Sequence, residues 1–230
     1  MFLAGSEFDQ LGPDARAALQ AAAIRRRYGH NAFIYIQEEE AEHLYVVRSG
    51  HVRLSYLMED GSAVLYAILP AGESFGELGI FDGGVHCDMA TAIGDTVVAA
   101  IPIGGFHHLA ARHGEIGRAL SRVVARRYRS YIDLTRILSL RSLPARLAQS
   151  LLRLADGLGT TAEHGGRRVP CVGSVVTQTD LGLMARGARG NVNRALKMWE
   201  RAGWIALRDR SIILLDRPRL EALAIEDEDA

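Results

Sequence analysis

The spacing of apolar positions changes character along the chain. Residues 12–27, GPDARAALQAAAIRRR, are rich in Ala, Leu and Arg and predict a short helix. From Ala32 the period shortens. HLYVVR, HVRLSYL and SAVLYAIL are compact runs of Val, Leu, Ile and Tyr, with Ser49-Gly50 between the first two and Glu59-Asp60-Gly61 between the last two. Runs of that kind separated by Gly turns predict strands joined by hairpins. Val52, Leu54 and Tyr56 alternate with Arg53 and Ser55, which predicts one buried face. MATAIG and TVVAAIPI continue the strand-like pattern, so residues 30–103 are expected to form a β-barrel or jelly roll.

Helical spacing begins near Phe106. Between Gly114 and Leu138, Ile116, Leu120, Val124, Tyr131, Leu134 and Leu138 recur at steps of three, four or seven. The implied helix is about 37 Å long at about 1.5 Å per residue. Its stripe suits either the barrel or a twin helix. Arg127 falls in the seam and interrupts any regular heptad zipper. A second helix is expected from Leu143 to Ala155, followed by a Gly- and Thr-rich break from Gly157 to Gly166.

The segment from Val176 to Gly203, VTQTDLGLMARGARGNVNRALKMWERAG, carries the clearest functional pattern. Thr177 and Asp180 have capping-box spacing. Leu181 and Met184 give a short first helix its apolar face, and Arg186-Gly187-Ala188 predicts a tight turn. In the second helix Val192, Ala195, Leu196 and Trp199 fall inward; Arg189, Asn191, Asn193, Arg194 and Lys197 fall on or near the outer side; Gly203 stops it. A second helix in the major groove reads bases near its N-terminus, Arg pairing with guanine and Asn with adenine. Trp204 to Leu207 and Ile212 to Leu215, joined through Arg208-Asp209-Arg210, read as the hairpin wing of a winged helix.

Composition adds little to this and excludes some classes. Net charge is zero, with 27 basic and 27 acidic residues, but the balance is uneven. Residues 186–201 hold Arg186, Arg189, Arg194, Lys197 and Arg201 against Glu200, while Glu226-Asp227-Glu228-Asp229 forms an acidic tail. No apolar run reaches the roughly 20 residues of a membrane span, and the N-terminus MFLAGSEFDQ is too short and acidic for a signal peptide. Two isolated cysteines, Cys87 and Cys171, predict neither a disulfide framework nor a Cys-based metal site. His107, His108 and His113 are expected to be exposed polar residues at the barrel–helix junction rather than metal ligands. A cytoplasmic, non-membrane protein is expected. No G-x-S-x-G, H-E-x-x-H or Walker pattern supports an enzyme.

The chain resembles the CRP/FNR family of bacterial transcription regulators. GESFGELGIFDGG, Gly72 to Gly84, looks like the family's phosphate-binding cassette; residues 177–203 look like its helix-turn-helix; RLAQSLL, Arg146 to Leu152, looks like its linking helix. The resemblance implies an α+β protein. It has a cyclic-nucleotide-binding-type β-roll (jelly roll, 1–113), a long dimerisation helix (114–140) and a C-terminal winged helix-turn-helix (141–230). It further implies homodimers on double-stranded DNA with two-fold-related half-sites, and RNA polymerase as a partner if the protein activates.

By motif match, Arg189, Gly190 and Arg194 stand at the base-reading positions, with Thr177, Gln178, Asn191, Asn193 and Lys197 completing the DNA-binding set. Gly190 replaces the usual Glu, which predicts a target different from the common TGTGA-type half-site. Ala188 replaces a capping Ser, a loss of about 0.5–2 kcal/mol. In the cassette Gly76, Glu77 and Leu78 are retained, whereas His86 and Cys87 replace the Arg-Ser phosphate clamp and Asp88 follows. Tyr131 and Ile132 stand where small hydroxyl residues usually meet adenine. A charge-assisted hydrogen bond contributes about 1.5–3 kcal/mol, so cyclic AMP is not expected to bind in the usual way. The candidate effector residues are Gly76, Glu77, Leu78, His86, Cys87 and Tyr131. Their Gly residues serve as a structural turn, with another nucleotide or haem in the pocket as alternatives. A protein-interaction module without specific DNA binding is the other reading left open.

Overall fold

The computed structural model describes residues 6–82 and 84–228. The chain divides into two compact units, the first ending at Tyr131 and the second starting at Ile132. In the first, α1 (Pro13–Ala22) leads into β1 (Ile24–Tyr28), β2 (Phe33–Tyr35), β3 (His43–Leu57), β4 (Ala63–Leu69), β5 (Ser74–Phe75), the one-turn α2 (Gly79–Asp82), β6 (Met89–Pro102) and α3 (Ile103–Arg112). The sheet is antiparallel with order β1-β6-β3-β4; β2 joins β6 and β5 joins β3. The core closes on Phe8, Leu44, Val46, Ile101, Phe106, Ile116, Leu120 and Val123. Phe106 meets Phe8 edge-on at 6.2 Å.

Several local expectations give way here. The first helix stops at Ala22, and Ile24–Tyr28 is a strand in register with Ala100–Thr96. The three arginines suit a helix, but the unpaired edge of β6 supplies hydrogen bonds that a helix cannot match at that place. The strand-rich unit therefore begins at Ile24 and not at residue 30. Ser49-Gly50 is no hairpin turn: β3 runs straight through it with register shifts on either side. Gly50 has φ +79°, and a Cβ there would sit 2.5 Å from Thr96 Oγ1, so only glycine fits the bulge. MATAIG and TVVAAIPI are one strand, β6. A further shift between Leu54 and Ser55 turns the pattern over, leaving Ser55 buried and Tyr56 45% exposed. The Glu59–Gly61 turn behaves as read, with Met58 N–H donating to Ser62 O at 2.7 Å.

The long helix α4 (Gly114–Ser139) forms as expected, directly after α3, which itself starts at Ile103. One face of α4, Ile116, Leu120, Val123 and Arg127, is buried, Val124 is half-buried, and Tyr128 and Ile132 are 66% and 51% exposed. His107 and His108 are exposed and His113 is half-buried. The described residues contain no group of three or more metal-ligating side chains.

The second unit holds α5 (Leu143–Leu158), β7 (Thr161–His164), β8 (Arg167–Val172), α6 (Gln178–Ala185), α7 (Arg189–Arg201), β9 (Ile205–Arg208), β10 (Ser211–Leu214) and α8 (Arg217–Glu228). Its sheet has the order β7-β8-β10-β9. The expected break from Gly157 to Gly166 is instead the end of α5, capped by Gly159 in the left-handed region, and a β-hairpin turning on Gly165-Gly166. The wing forms as expected, turning on Asp209 and Arg210, both at positive φ. The N-terminal decapeptide lies partly, and the side chains of the acidic tail wholly, outside the described residues. No helix among the described residues is long and apolar enough to cross a membrane.

Candidate nucleic-acid interface and effector pocket

The reader is assembled from local chemistry. Thr177 Oγ1 accepts from Asp180 N–H at 3.1 Å, and Asp180 Oδ2 accepts from Thr177 N–H at 2.8 Å, closing a reciprocal capping box on α6. Arg186 leaves the helix in the left-handed region, and Gly187 N–H donates to Gly182 O at 2.9 Å. The turn is tight: a Cβ on Gly182 would lie 2.5 Å from the backbone Gly187 O, and one on Gly187 would lie 2.4 Å from Leu143 Cδ1, which would have to move. Helix α7 then starts at Arg189 with no side-chain cap from Ala188. Val192, Ala195, Leu196 and Trp199 are buried. Trp204 N–H reaches back to Trp199 O at 2.9 Å, with Gly203 at φ +75° ending the helix.

On the other face Arg189, Gly190, Asn191, Arg194 and Lys197 are exposed together. Arg194 Nη1 donates to Asn191 Oδ1 at 3.3 Å. Asn193 lies at the edge of this face: it is half-buried, and its Nδ2 donates to Gln178 Oε1 at 3.0 Å, tying α7 to α6. Thr177 is exposed as a residue, but its hydroxyl serves the cap.

Two positioning residues escaped the sequence reading. Arg146 donates from Nε to Ala185 O and from Nη1 to the carbonyls of Leu140 and Arg141, all at 2.8 Å, so it satisfies carbonyls where one helix ends and another begins. Glu200 accepts from Leu207 N–H at 3.2 Å and holds the start of the wing. Arg146 belongs to the RLAQSLL segment, yet nothing local distinguishes it from a solvated arginine.

In the first unit, Gly76 has φ +74° with His43 O 3.1 Å from where a Cβ would sit. Glu77 beside it is buried, and Leu78 is 37% exposed. Arg127 of α4, also buried, donates from Nε to Glu77 Oε1 at 3.2 Å and from Nη2 to Ser74 O at 2.8 Å. Burial works against both charges, pushing Glu77 up and Arg127 down, but the pairing holds Arg127 above its usual range. The interrupting arginine of the helical stripe is thus an internal partner of the cassette.

His86 lies beside the Gly76 turn, its Cε1 3.5 Å from where a Cβ on Gly76 would sit. His86 is buried and stacked on Tyr35, centroids 3.6 Å apart at 6°. Burial lowers its pKa against the pull of Asp88, so the ring is neutral at neutral pH. The Cys87 thiol is pushed up to about 11, first by burial and then by the Asp88 charge. Asp88 is buried and accepts from the Tyr66 hydroxyl, and Tyr131 of α4 lies over Tyr66 with centroids 4.8 Å apart. Burial and the Asp88 charge raise Tyr66 well above its normal value.

These residues do not fit a cyclic nucleotide phosphate. A neutral imidazole and a protonated thiol stand where a charged fork would be needed, beside a buried carboxylate. Two like charges about 4 Å apart repel by about 4 kcal/mol at an effective dielectric near 20. The pair does not fit one haem iron either: His86 is buried while its neighbour Cys87 is exposed, so the two side chains do not face the same point.

Residues 25–113 match the family model of the cyclic nucleotide-binding domain, and residues 145–223 match that of the Crp-like helix-turn-helix domain. Over 215 residues, 93% of each chain, the sequence is 33% identical to a CRP-like cAMP-activated global transcriptional regulator of Mycobacterium tuberculosis. The chain belongs to the CRP/FNR family of transcription regulators. Solved CRP/FNR structures agree. FixK2 from Bradyrhizobium japonicum superposes with TM-score 0.75 at 27% identity, covering 87% of this chain and 96% of that one. A CRP family transcriptional regulator from Thermus thermophilus gives TM-score 0.69 at 28% identity, covering 86% and 96%. The CRP/FNR assignment carries a β-roll domain of the cyclic nucleotide-binding class and a helix-turn-helix of the DNA-binding class on this one chain.

Proposed function

We propose that this CRP/FNR member acts as a cytoplasmic homodimer that reads two-fold-related half-sites of double-stranded DNA with α7, without cyclic AMP in its roll. The observation that carries the reading is the single exposed face of Arg189, Asn191, Arg194 and Lys197 above a buried Val192, Leu196 and Trp199. Arg189 and Arg194 read bases across the empty Gly190 position; Lys197 meets phosphate; Gln178 and Asn193 fix the angle between the helices. The exposed Tyr128 and Ile132 on α4 support its use as the dimer seam. In this scheme residues 1–113 are the effector-type roll, 114–140 the dimerisation helix and 141–230 the reader, with RNA polymerase as partner wherever the protein activates.

Selection from random duplex DNA tests the reading. A two-fold-related site, different from TGTGA and bound in a salt-sensitive way, is the expected result. A pool with no enriched sequence overturns it in favour of a protein-interaction role. Arg189→Ala is expected to relax one base pair per half-site, at about 1–3 kcal/mol of discrimination. An equal loss on every sequence would reassign Arg189 to phosphate. Calorimetric titration with cyclic AMP is expected to give no binding heat at micromolar concentrations; micromolar affinity refutes the altered-pocket part alone.

A further inference from the structure

We propose that Tyr131, Tyr66 and Asp88 form an internal latch that holds α4 on the roll without any nucleotide, so that DNA binding is constitutive. The inference deepens, and rests on, the DNA-reading function above.

Two residues of α4 one turn apart, Arg127 and Tyr131, fall on the same face by their spacing of four. Each grips a different part of the roll. Arg127 bonds Glu77 and the Ser74 carbonyl, next to β5. Tyr131 lies over Tyr66, which comes from β4, and Tyr66 in turn donates to Asp88 just ahead of β6. Tyr66 is 2% exposed and Asp88 8%, so this hydrogen bond is made out of water and is charge-assisted. The partners of both α4 residues are therefore the chain's own groups. An anion entering this site would have to displace Tyr66 from Asp88 and approach a buried carboxylate. A ligand shifts a conformational equilibrium only by its preference for one state. Here an intramolecular hydrogen bond and a ring contact supply that preference permanently.

The test uses the full chain, shown to be free of nucleotide by mass spectrometry. Hydrogen exchange of the α4 amides around residues 124–131 reads the latch without DNA. In Tyr131→Ala these amides are expected to exchange about tenfold faster or more, and Tyr131→Phe, which keeps the ring contact but loses the hydroxyl's hydrogen bond to Tyr66, is expected to fall between Ala and the wild type. On a selected duplex the nucleotide-free wild type is expected to bind at full affinity, unchanged by added cyclic AMP or cyclic GMP. Tyr131→Ala is expected to bind about tenfold more weakly. Any of three results overturns the latch: a nucleotide that co-purifies in stoichiometric amount, affinity that rises about tenfold on adding either nucleotide, or unchanged exchange in Tyr131→Ala. Failure of the DNA selection would strike the reading of α7 instead, since the exchange experiment decides the latch on its own.

Discussion

Arg127→Ala is expected to destabilise the β-roll unit by about 3–5 kcal/mol, because it strands a buried carboxylate with no counter-charge. Glu77 and Arg127 are 3% and 7% exposed, so neither is screened by water once its partner is gone. The Ser74 carbonyl loses its donor in the same step. Denaturant unfolding followed by a probe in the roll measures the loss. Arg127→Met combined with Glu77→Gln is expected to recover most of it, since removing both charges also removes the cost of burying them. A single mutant within about 1 kcal/mol of the wild type would mean that water reaches Glu77, contrary to its burial.

Trp199→Ala is expected to cost the second unit about 3–5 kcal/mol and, with it, the placement of the DNA-reading face. Trp199 is fully buried, and its backbone carbonyl also receives the hydrogen bond that ends α7. The indole Nε1 has no hydrogen-bond partner among the described residues, so its contribution is volume rather than polarity. Trp199→Phe should therefore lose much less than Trp199→Ala. Thermal melting of both variants, with gel shifts below each melting point, separates the effects. If Phe proves as damaging as Ala, an acceptor for the indole N–H exists and the packing account fails.

The two mutations touch parts of the molecule that differ in how far they can be read from sequence. The local structure of the helix-turn-helix was legible almost residue by residue. Thr177 and Asp180 close their cap within one turn, Gly203 stops the helix where it stands, and Val192, Leu196 and Trp199 repeat at the helical period. The wing follows the same rule, as a hairpin between short apolar runs. Asn193 was the exception, because its partner Gln178 lies on the neighbouring helix, 15 residues away.

The roll was legible as a class but not in its details. Ile24–Tyr28 has a helix-compatible sequence and becomes a strand because β6, some 70 residues later, offers an edge. Gly50 looks like a turn and is a bulge because Thr96 leaves no room for a side chain.

The sequence by itself determined what neighbours within a turn or a short hairpin set: the caps and stops of α6 and α7, the inward face of α7, and the order of helix-turn-helix and wing. Only the tertiary structure decided where the two odd residues of α4 go. Arg127 meets Glu77 across 50 residues, and Tyr131 lies over Tyr66. A buried charge or hydroxyl is settled by whatever the fold brings to it, and that partner carries no mark in the local sequence.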